Sequence, residues 1–222
     1  MRSRKSASAS TAEAAAAAAS PSSRAARLLR TIALFASGLT ILSLGYALIL
    51  RSGLGNDTIG VLAHGLALQT GLTIGNGSQL INCAALLIVL VGNRKLIGPG
   101  TVISAISIGF ILDLFMALIP AAAGAGMQWL YLLLGSAIGG AGIAVTISSK
   151  FGASPIDTLM LLLAEKSRLS LRVVRILLDV CLAVSGWLLG GLLGLGTVIT
   201  ALCIGPIIQL ALRLWMKTSY QR

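Results

Sequence analysis

The stretch at residues 100–114, GTVISAISIGFILDL, returns at residues 196–210 as GTVITALCIGPIIQL. Nine of the fifteen positions are identical at an offset of 96 residues. Six earlier residues also recur, at an offset of 97: Gly45, Ala47, Ser52, Gly55, Ile59 and Leu62 match Gly142, Ala144, Ser149, Gly152, Ile156 and Leu159. Self-similarity at a nearly fixed offset indicates an internal repeat, so the chain is predicted to consist of two related halves.

The composition indicates that both halves lie in a lipid bilayer. Of the 222 residues, 56% are hydrophobic and 10% are charged, and the mean hydropathy is +0.95. Average globular domains carry about 25% charged residues. This balance excludes a soluble enzyme, a disordered protein and a disulfide scaffold, and it leaves a polytopic helical membrane protein. The three cysteines all fall within apolar runs, where a thiol behaves as a small hydrophobe.

Six apolar runs are candidates for transmembrane helices. About 20 residues of helix cross a bilayer core of about 30 Å. The six runs that reach or approach this length are residues 31–50, 77–91, 97–119, 129–147, 173–193 and 195–215. Two further helical segments, 56–70 and 154–165, are too short and too polar at their starts to cross alone. We predict that these two segments are re-entrant or interfacial.

The positions of Lys and Arg favour six spans, because these residues prefer the cytoplasmic side of a membrane. With six spans and the N-terminus inside, 16 of the 17 basic residues are cytoplasmic and only Arg51 is outside. Eight spans would leave 13 inside. Both termini are therefore predicted to be cytoplasmic. Residues 1–30 are predicted to form a disordered basic tail, since their composition cannot bury a core; a processed transit peptide is the alternative.

An odd number of spans in each half inverts the second half relative to the first. The predicted fold is therefore all-α, with two inverted three-span repeats at residues 31–119 and 127–216. Each repeat has a short broken or re-entrant helix after its first span. Many secondary transporters contain inverted repeats and bind their substrates where the repeats meet.

Polar residues within the spans and short helices are candidates for a substrate or ion path, because charged groups are costly at membrane depth. Asp113 and Asp179 lie inside spans, and the offset pairs them with Gln209 and Asn82. The candidate path comprises Asp57, His64, Asn82, Asp113, Asp157, Asp179 and Gln209. The structural alternatives are helix capping, interhelical hydrogen bonds and an ion pair between Asp179 and Arg175 four residues earlier.

Glycines and a capping motif are predicted to shape the starts of the short helices. Ser154, Pro155 and Asp157 have the spacing of an N-cap, a first helical residue and a third helical residue. The helix-start motifs are Gly53, Gly55, Gly152, Ser154 and Pro155. Gly135, Gly139 and Gly142 give the fourth span a nearly side-chain-free face, suited to close packing within the bundle or to a homo-oligomer interface.

These motifs resemble those of the YczE and YitT families of bacterial integral membrane proteins. The resemblance rests on Gly45, Ser52, Gly53 and Gly55 with the following short helix, on GASPIDTL at residues 152–159, and on GTV from Gly196, and it covers about residues 29–214. It implies a multi-pass protein of the bacterial inner membrane. The families are largely uncharacterised, so the resemblance implies no substrate and no catalytic residue.

The leading functional hypothesis is a small-solute transporter or channel with a polar site between the repeats. The alternative is a membrane scaffold or accessory protein that transports nothing. No positioned nucleophile, metal-ligand spacing or phosphate-binding loop is evident, so we predict no enzyme activity, no catalytic residue, no metal and no cofactor. The expected partners are the lipid bilayer and an unknown small solute, and no nucleic acid.

Overall fold

The computed structural model describes residues 21–219, with side chains described for residues 25–214. This part of the chain is all helical, as predicted, and contains eight α-helices and a short 3-10 helix at Arg94–Leu96. The α-helices are α1 Pro21–Ser52, α2 Thr58–Thr70, α3 Ile74–Asn93, α4 Pro99–Leu118, α5 Ala125–Ser148, α6 Pro155–Ser167, α7 Leu171–Leu188 and α8 Leu195–Ser219.

Five segments are long and apolar enough to cross a membrane: Ala25–Ser52, Ile74–Leu96, Pro99–Leu118, Ala125–Ser148 and Leu195–Leu214. They correspond to five of the six predicted spans. The remaining predicted span, residues 173–193, coincides with α7, which ends at Leu188. It is not among the five because its 18 residues carry Arg172, Arg175 and Asp179.

The first helix begins earlier than the sequence suggested. Residues 21–30 belong to α1, whereas the disordered tail was predicted to extend to residue 30. Proline is well suited to a first helical turn, and the alanines and leucines that follow Pro21 favour helix, so the apolar span continues outward as helix. Residues 1–20 of the predicted tail lie outside the described residues.

The most extensive helix contact is the crossing of α1 and α5, and glycines make it close. A β-carbon added at Gly45 would lie 2.3 Å from the backbone nitrogen of Gly139. One added at Gly142 would lie 2.3 Å from the backbone nitrogen of Leu42. The glycine face of α5 is therefore occupied by α1 of the same chain, which is the packing role expected of small residues between membrane helices.

The other helices pack around this pair. Helix α4 lies against α1 and α3, and α8 lies against α5. Helices α2, α3, α6 and α7 form a ring, in which α2 and α6 each contact both α3 and α7. Each short helix, α2 and α6, therefore lies between α3 and α7.

The turns after α1 and α5 are tied to the starts of distant helices. The carbonyl of Leu54 accepts a hydrogen bond from Gly196 N at 2.8 Å, and the carbonyl of Phe151 accepts one from Gly100 N at 3.1 Å. Gly55 has φ +125° and leaves room for the chain at Gly194, where its added β-carbon would lie 2.8 Å from the backbone nitrogen. These contacts fix the entry into α2 and α6.

Candidate functional site

Helix α2 runs alongside the second half of α7. At its start, the Thr58 hydroxyl donates a hydrogen bond to Asp179 Oδ1 at 2.8 Å, and Asp179 is the ninth of the 18 residues of α7. Near its end, Gln69 Nε2 donates to the Leu189 carbonyl at 3.1 Å. The N-terminus of α2 therefore lies beside the middle of α7.

Helix α6 has the corresponding relation to α3. Ile156, at its start, packs in one core cluster with Ile81 and Ala85 from the middle of α3. Toward its end, Glu165 Oε2 accepts a hydrogen bond from Asn93 Nδ2 at 3.2 Å. Each short helix therefore begins beside the middle of a longer helix and ends near the end of that helix.

Arg175 joins the start of α6 to the middle of α7. Its Nη1 lies 3.5 Å from Asp157 Oδ1, and its Nε lies 3.5 Å from Asp179 Oδ2. The side chains of Arg175, Asp157 and Asp179 are 50%, 36% and 34% exposed, so this polar group is partly exposed rather than fully buried. The ion pair between Arg175 and Asp179 is the one expected from their four-residue spacing.

Asp57 adds a third carboxylate next to this group. It is the N-cap residue of α2, with extended backbone, and its side chain makes no capping hydrogen bond. The pKa of Asp57 is raised, and burial is the main cause. The charge of Asp179 also raises it, while the nearby backbone amide of Gly60 acts in the opposite direction. With Asp157 and Asp179 it gives three carboxylates to one guanidinium. We name Asp57, Asp157, Arg175 and Asp179 the carboxylate cluster.

Ser154 caps α6 as its spacing predicted. Its Oγ accepts a hydrogen bond from Asp157 N at 3.2 Å and donates one to Asp157 Oδ2 at 2.9 Å. Pro155 is the first helical residue. Asp157 therefore takes part in the cap of α6 and in the ion pair with Arg175 at the same time.

Three candidate path residues lie apart from the carboxylate cluster in their contacts. Asp113 accepts hydrogen bonds from the Thr73 hydroxyl at 2.5 Å and from Gly75 N at 2.9 Å, at the start of α3. Asn82 is buried and donates to the Ser78 carbonyl of its own helix at 2.9 Å. Gln209 is exposed on α8.

His64 ties α2 to the turn after α7. Its Nδ1 accepts a hydrogen bond from Leu192 N at 3.2 Å, and burial lowers its pKa. An imidazole that accepts at Nδ1 is neutral and carries its proton on Nε2. This contact gives His64 a structural role in positioning α2.

The candidate path residues predicted from the sequence did not include Thr58 and Asn56, which lie near the start of α2. Thr58 is the first residue of the helix and binds Asp179, a contact across 121 positions that no local pattern encodes. Asn56 is 1% exposed, and its Oδ1 has no hydrogen-bond partner among the described residues. Its polarity directly before Asp57 was the available signal. In residues 21–219, no group of three His, Cys, Asp or Glu side chains is arranged to hold a metal ion.

The family model that matches this chain is the family of unknown function DUF6198, over residues 29–213. The chain belongs to this family. Relatives of this chain include an uncharacterised protein of Haemophilus influenzae, 35% identical over 83% of this chain and 84% of the relative. The uncharacterised membrane protein YczE of Bacillus subtilis is 30% identical over 80% of this chain and 83% of the relative. The resemblance to YczE is thus confirmed, and the chain is a membrane protein of this type. No solved structure matches.

Proposed function

We propose that this DUF6198 protein is a small-solute transporter or channel of the bacterial inner membrane, with its polar path between two inverted repeats. The observation that carries the proposal is the carboxylate cluster, where the starts of both short helices meet α7. Charged side chains at membrane depth are expensive and mark substrate or ion paths by default.

The inverted arrangement is supported by contacts that recur across the repeat offset. The hydrogen bond from Gly196 to Leu54 has its counterpart in the bond from Gly100 to Phe151. The packing of α2 on α7 has its counterpart in that of α6 on α3. Equivalent contacts between opposite halves are expected when a twofold axis relates the halves, and three spans in each half would place that axis in the membrane plane.

The sixth crossing in this proposal is α7. Its charges lower its hydropathy, but the contacts of Arg175 and Asp179 are with Asp157 and Thr58 on the short helices. Polar groups in membrane helices are tolerated when they face the bundle interior and have partners there. With α7 crossing, both chain termini lie in the cytoplasm.

Helices α2 and α6 are re-entrant in this arrangement. Each begins beside the middle of a crossing helix, and irregular backbone at that depth is tolerated only where protein or a water-filled cavity surrounds it. The turns before Thr58 and Pro155 supply such backbone. At that depth the helix starts must be surrounded by protein or by water, and the proposed path requires a water-accessible space among them.

The charge balance of the path favours a cationic solute or a proton. Arg175 pairs with Asp157 and Asp179, and Asp57 has no cationic partner among the described residues. Three carboxylates and one guanidinium leave an excess of negative charge when all are ionised. A cation entering this site would be attracted by the excess negative charge, and an anion would be repelled by it.

Cysteine accessibility tests the path without knowledge of the solute. On a background free of native cysteines, Ala153→Cys and Asp179→Cys should react with a small, water-soluble, membrane-impermeant thiosulfonate. Ala85→Cys is the matched control, because Ala85 is 2% exposed in the core next to α6 and should stay unlabelled. Protection of both path positions from either side of the membrane would reject the path and favour the scaffold alternative.

A further inference from the structure

Helices α6 and α7 enclose an apolar groove outside the carboxylate cluster. The groove has a volume of about 340 Å³, and Ser167 is the polar side chain in its wall. Its lining is Leu159, Leu163, Ser167, Leu169, Val174, Leu177, Leu178 and Cys181. A narrow, almost wholly apolar groove between two helices suits a hydrocarbon chain rather than a polar solute.

Three cations lie at or next to the turn between α6 and α7, close in sequence to residues of the groove wall. Lys166, Arg168 and Arg172 are exposed, and Arg168 lies between two residues of the groove wall, Ser167 and Leu169. Among the described residues, none of the three cations forms an ion pair with a carboxylate. The groove therefore combines an apolar wall with an uncompensated positive rim.

A cation occupies the end of α6, where the backbone conformation favours glycine. Arg168 ends α6 with φ +59°, in the left-handed region that glycine adopts freely and other residues adopt at a cost. Gly71, at the equivalent end of α2, has φ +71°. The second half thus keeps a cation where the first half has the less strained glycine, and Lys150, which lies outside the groove wall, has a similar φ of +55°.

We propose that the groove between α6 and α7 binds an anionic phospholipid. One acyl chain lies along the groove wall, and the headgroup phosphate binds Arg168 and Arg172. Guanidinium groups form paired, charge-assisted hydrogen bonds with phosphate oxygens, and basic sites between membrane helices recognise anionic headgroups. This site is separate from the proposed transport path and does not depend on it.

Lipid titration of the purified full-length protein in neutral detergent tests the proposal. Native mass spectrometry should detect dioleoylphosphatidylglycerol bound at least fivefold more tightly than dioleoylphosphatidylcholine. Arg168→Gly and Arg172→Gln should each weaken phosphatidylglycerol binding at least threefold. Arg168→Gly also relieves the left-handed strain, so it should fold at least as well as the wild type in a thermal unfolding assay.

Lys150→Gly is the matched control. Lys150 has φ +55°, so this variant removes a cation and relieves the same kind of strain, but Lys150 is not part of the groove wall. It should retain wild-type lipid binding. An equal loss in Lys150→Gly and Arg168→Gly, or equal binding of the two lipids, would overturn the proposal.

Leu177→Trp separates the acyl chain from the headgroup. Leu177 lies in the groove wall and is 52% exposed, so a larger side chain can fill the groove without disturbing the core. Phosphatidylglycerol binding should fall at least threefold although all three cations remain. Unchanged binding in this variant, or full competition by inorganic phosphate alone, would reject the groove as the lipid site.

Discussion

The five acidic residues within the described part of the chain differ in what their side chains contact, and Asp113 contacts the start of a helix. Its two oxygens accept hydrogen bonds from Thr73 Oγ1 and Gly75 N, so it joins α4 to the first turn of α3. A carboxylate beside a helix N-terminus is favoured by the unpaired amides and by the helix dipole. Its role is to hold two helices together.

Replacing Asp113 should therefore lower stability. We expect Asp113→Ala to reduce the free energy of unfolding by about 1 to 3 kcal/mol, since it leaves two donors without their charged acceptor. Reversible denaturation in mixed micelles measures the change. Gln209→Ala is the matched control at the equivalent position of the second half, where the side chain is exposed, and it should change stability by less than about 0.5 kcal/mol. Equal effects of the two variants would contradict the role given to Asp113.

Residue roles were predictable where they depend on neighbours in sequence. The cap formed by Ser154 and the ion pair of Arg175 with Asp179 follow from spacings of three and four residues. The contacts of Asp113 with Thr73 and of Thr58 with Asp179 join residues 40 and 121 positions apart. The repeat paired Asp113 with Gln209 and Asp179 with Asn82, but it did not indicate these distant partners.

At the scale of the helices, the close crossing of α1 and α5 depends on glycines, which have no side chain to keep the helices apart. A β-carbon at Gly45 would lie 2.3 Å from Gly139 N and 2.7 Å from the Gly135 carbonyl oxygen. Both neighbours are backbone atoms of a helix and cannot move aside without moving α5. Close approach of this kind gains van der Waals contact between backbones, which is a main source of association between membrane helices.

We therefore expect Gly45→Ala to separate α1 from α5. Overpacking of this kind costs about 1 to 3 kcal/mol, and it should lower the thermal unfolding temperature in detergent. Gly126→Ala is the control, because a β-carbon at Gly126 meets no other atom within 4 Å and alanine favours helix. The interpretation fails if Gly45→Ala is as stable as Gly126→Ala.

The sequence was sufficient to predict where helices form. The pattern of apolar and charged residues in α7 did not decide whether that helix crosses the membrane. The six apolar runs and the two shorter helical segments together predicted the eight α-helices of residues 21–219, because a helix that crosses lipid must be apolar along most of its length. Arg172, Arg175 and Asp179 weaken that signal in α7. Arg175 and Asp179 have partners on α2 and α6, and such compensation depends on the tertiary structure rather than on local composition.

At the scale of the whole molecule, repeat, charge and backbone conformation are consistent with one topology. Lys150 and Arg168 occupy left-handed positions in the second half, and Gly53 and Gly71 occupy the equivalent positions in the first. In the proposed topology Lys150 and Arg168 are cytoplasmic, and Gly53 and Gly71 are external. In that topology the cations occupy cytoplasmic turns, where Lys and Arg are preferred, and the glycines occupy the external turns.

The topology has its clearest test at Leu193, between α7 and α8. If α7 crosses, Leu193 is external; if α7 does not cross, Leu193 is cytoplasmic and α8 runs the other way. Leu193 is 46% exposed, so Leu193→Cys should react with a membrane-impermeant maleimide in right-side-out vesicles. On the same cysteine-free background, Ala123→Cys marks the external side and Lys95→Cys the cytoplasmic side. Labelling of Leu193→Cys only after permeabilisation, as expected for Lys95→Cys, would remove the sixth crossing and the inverted repeat together.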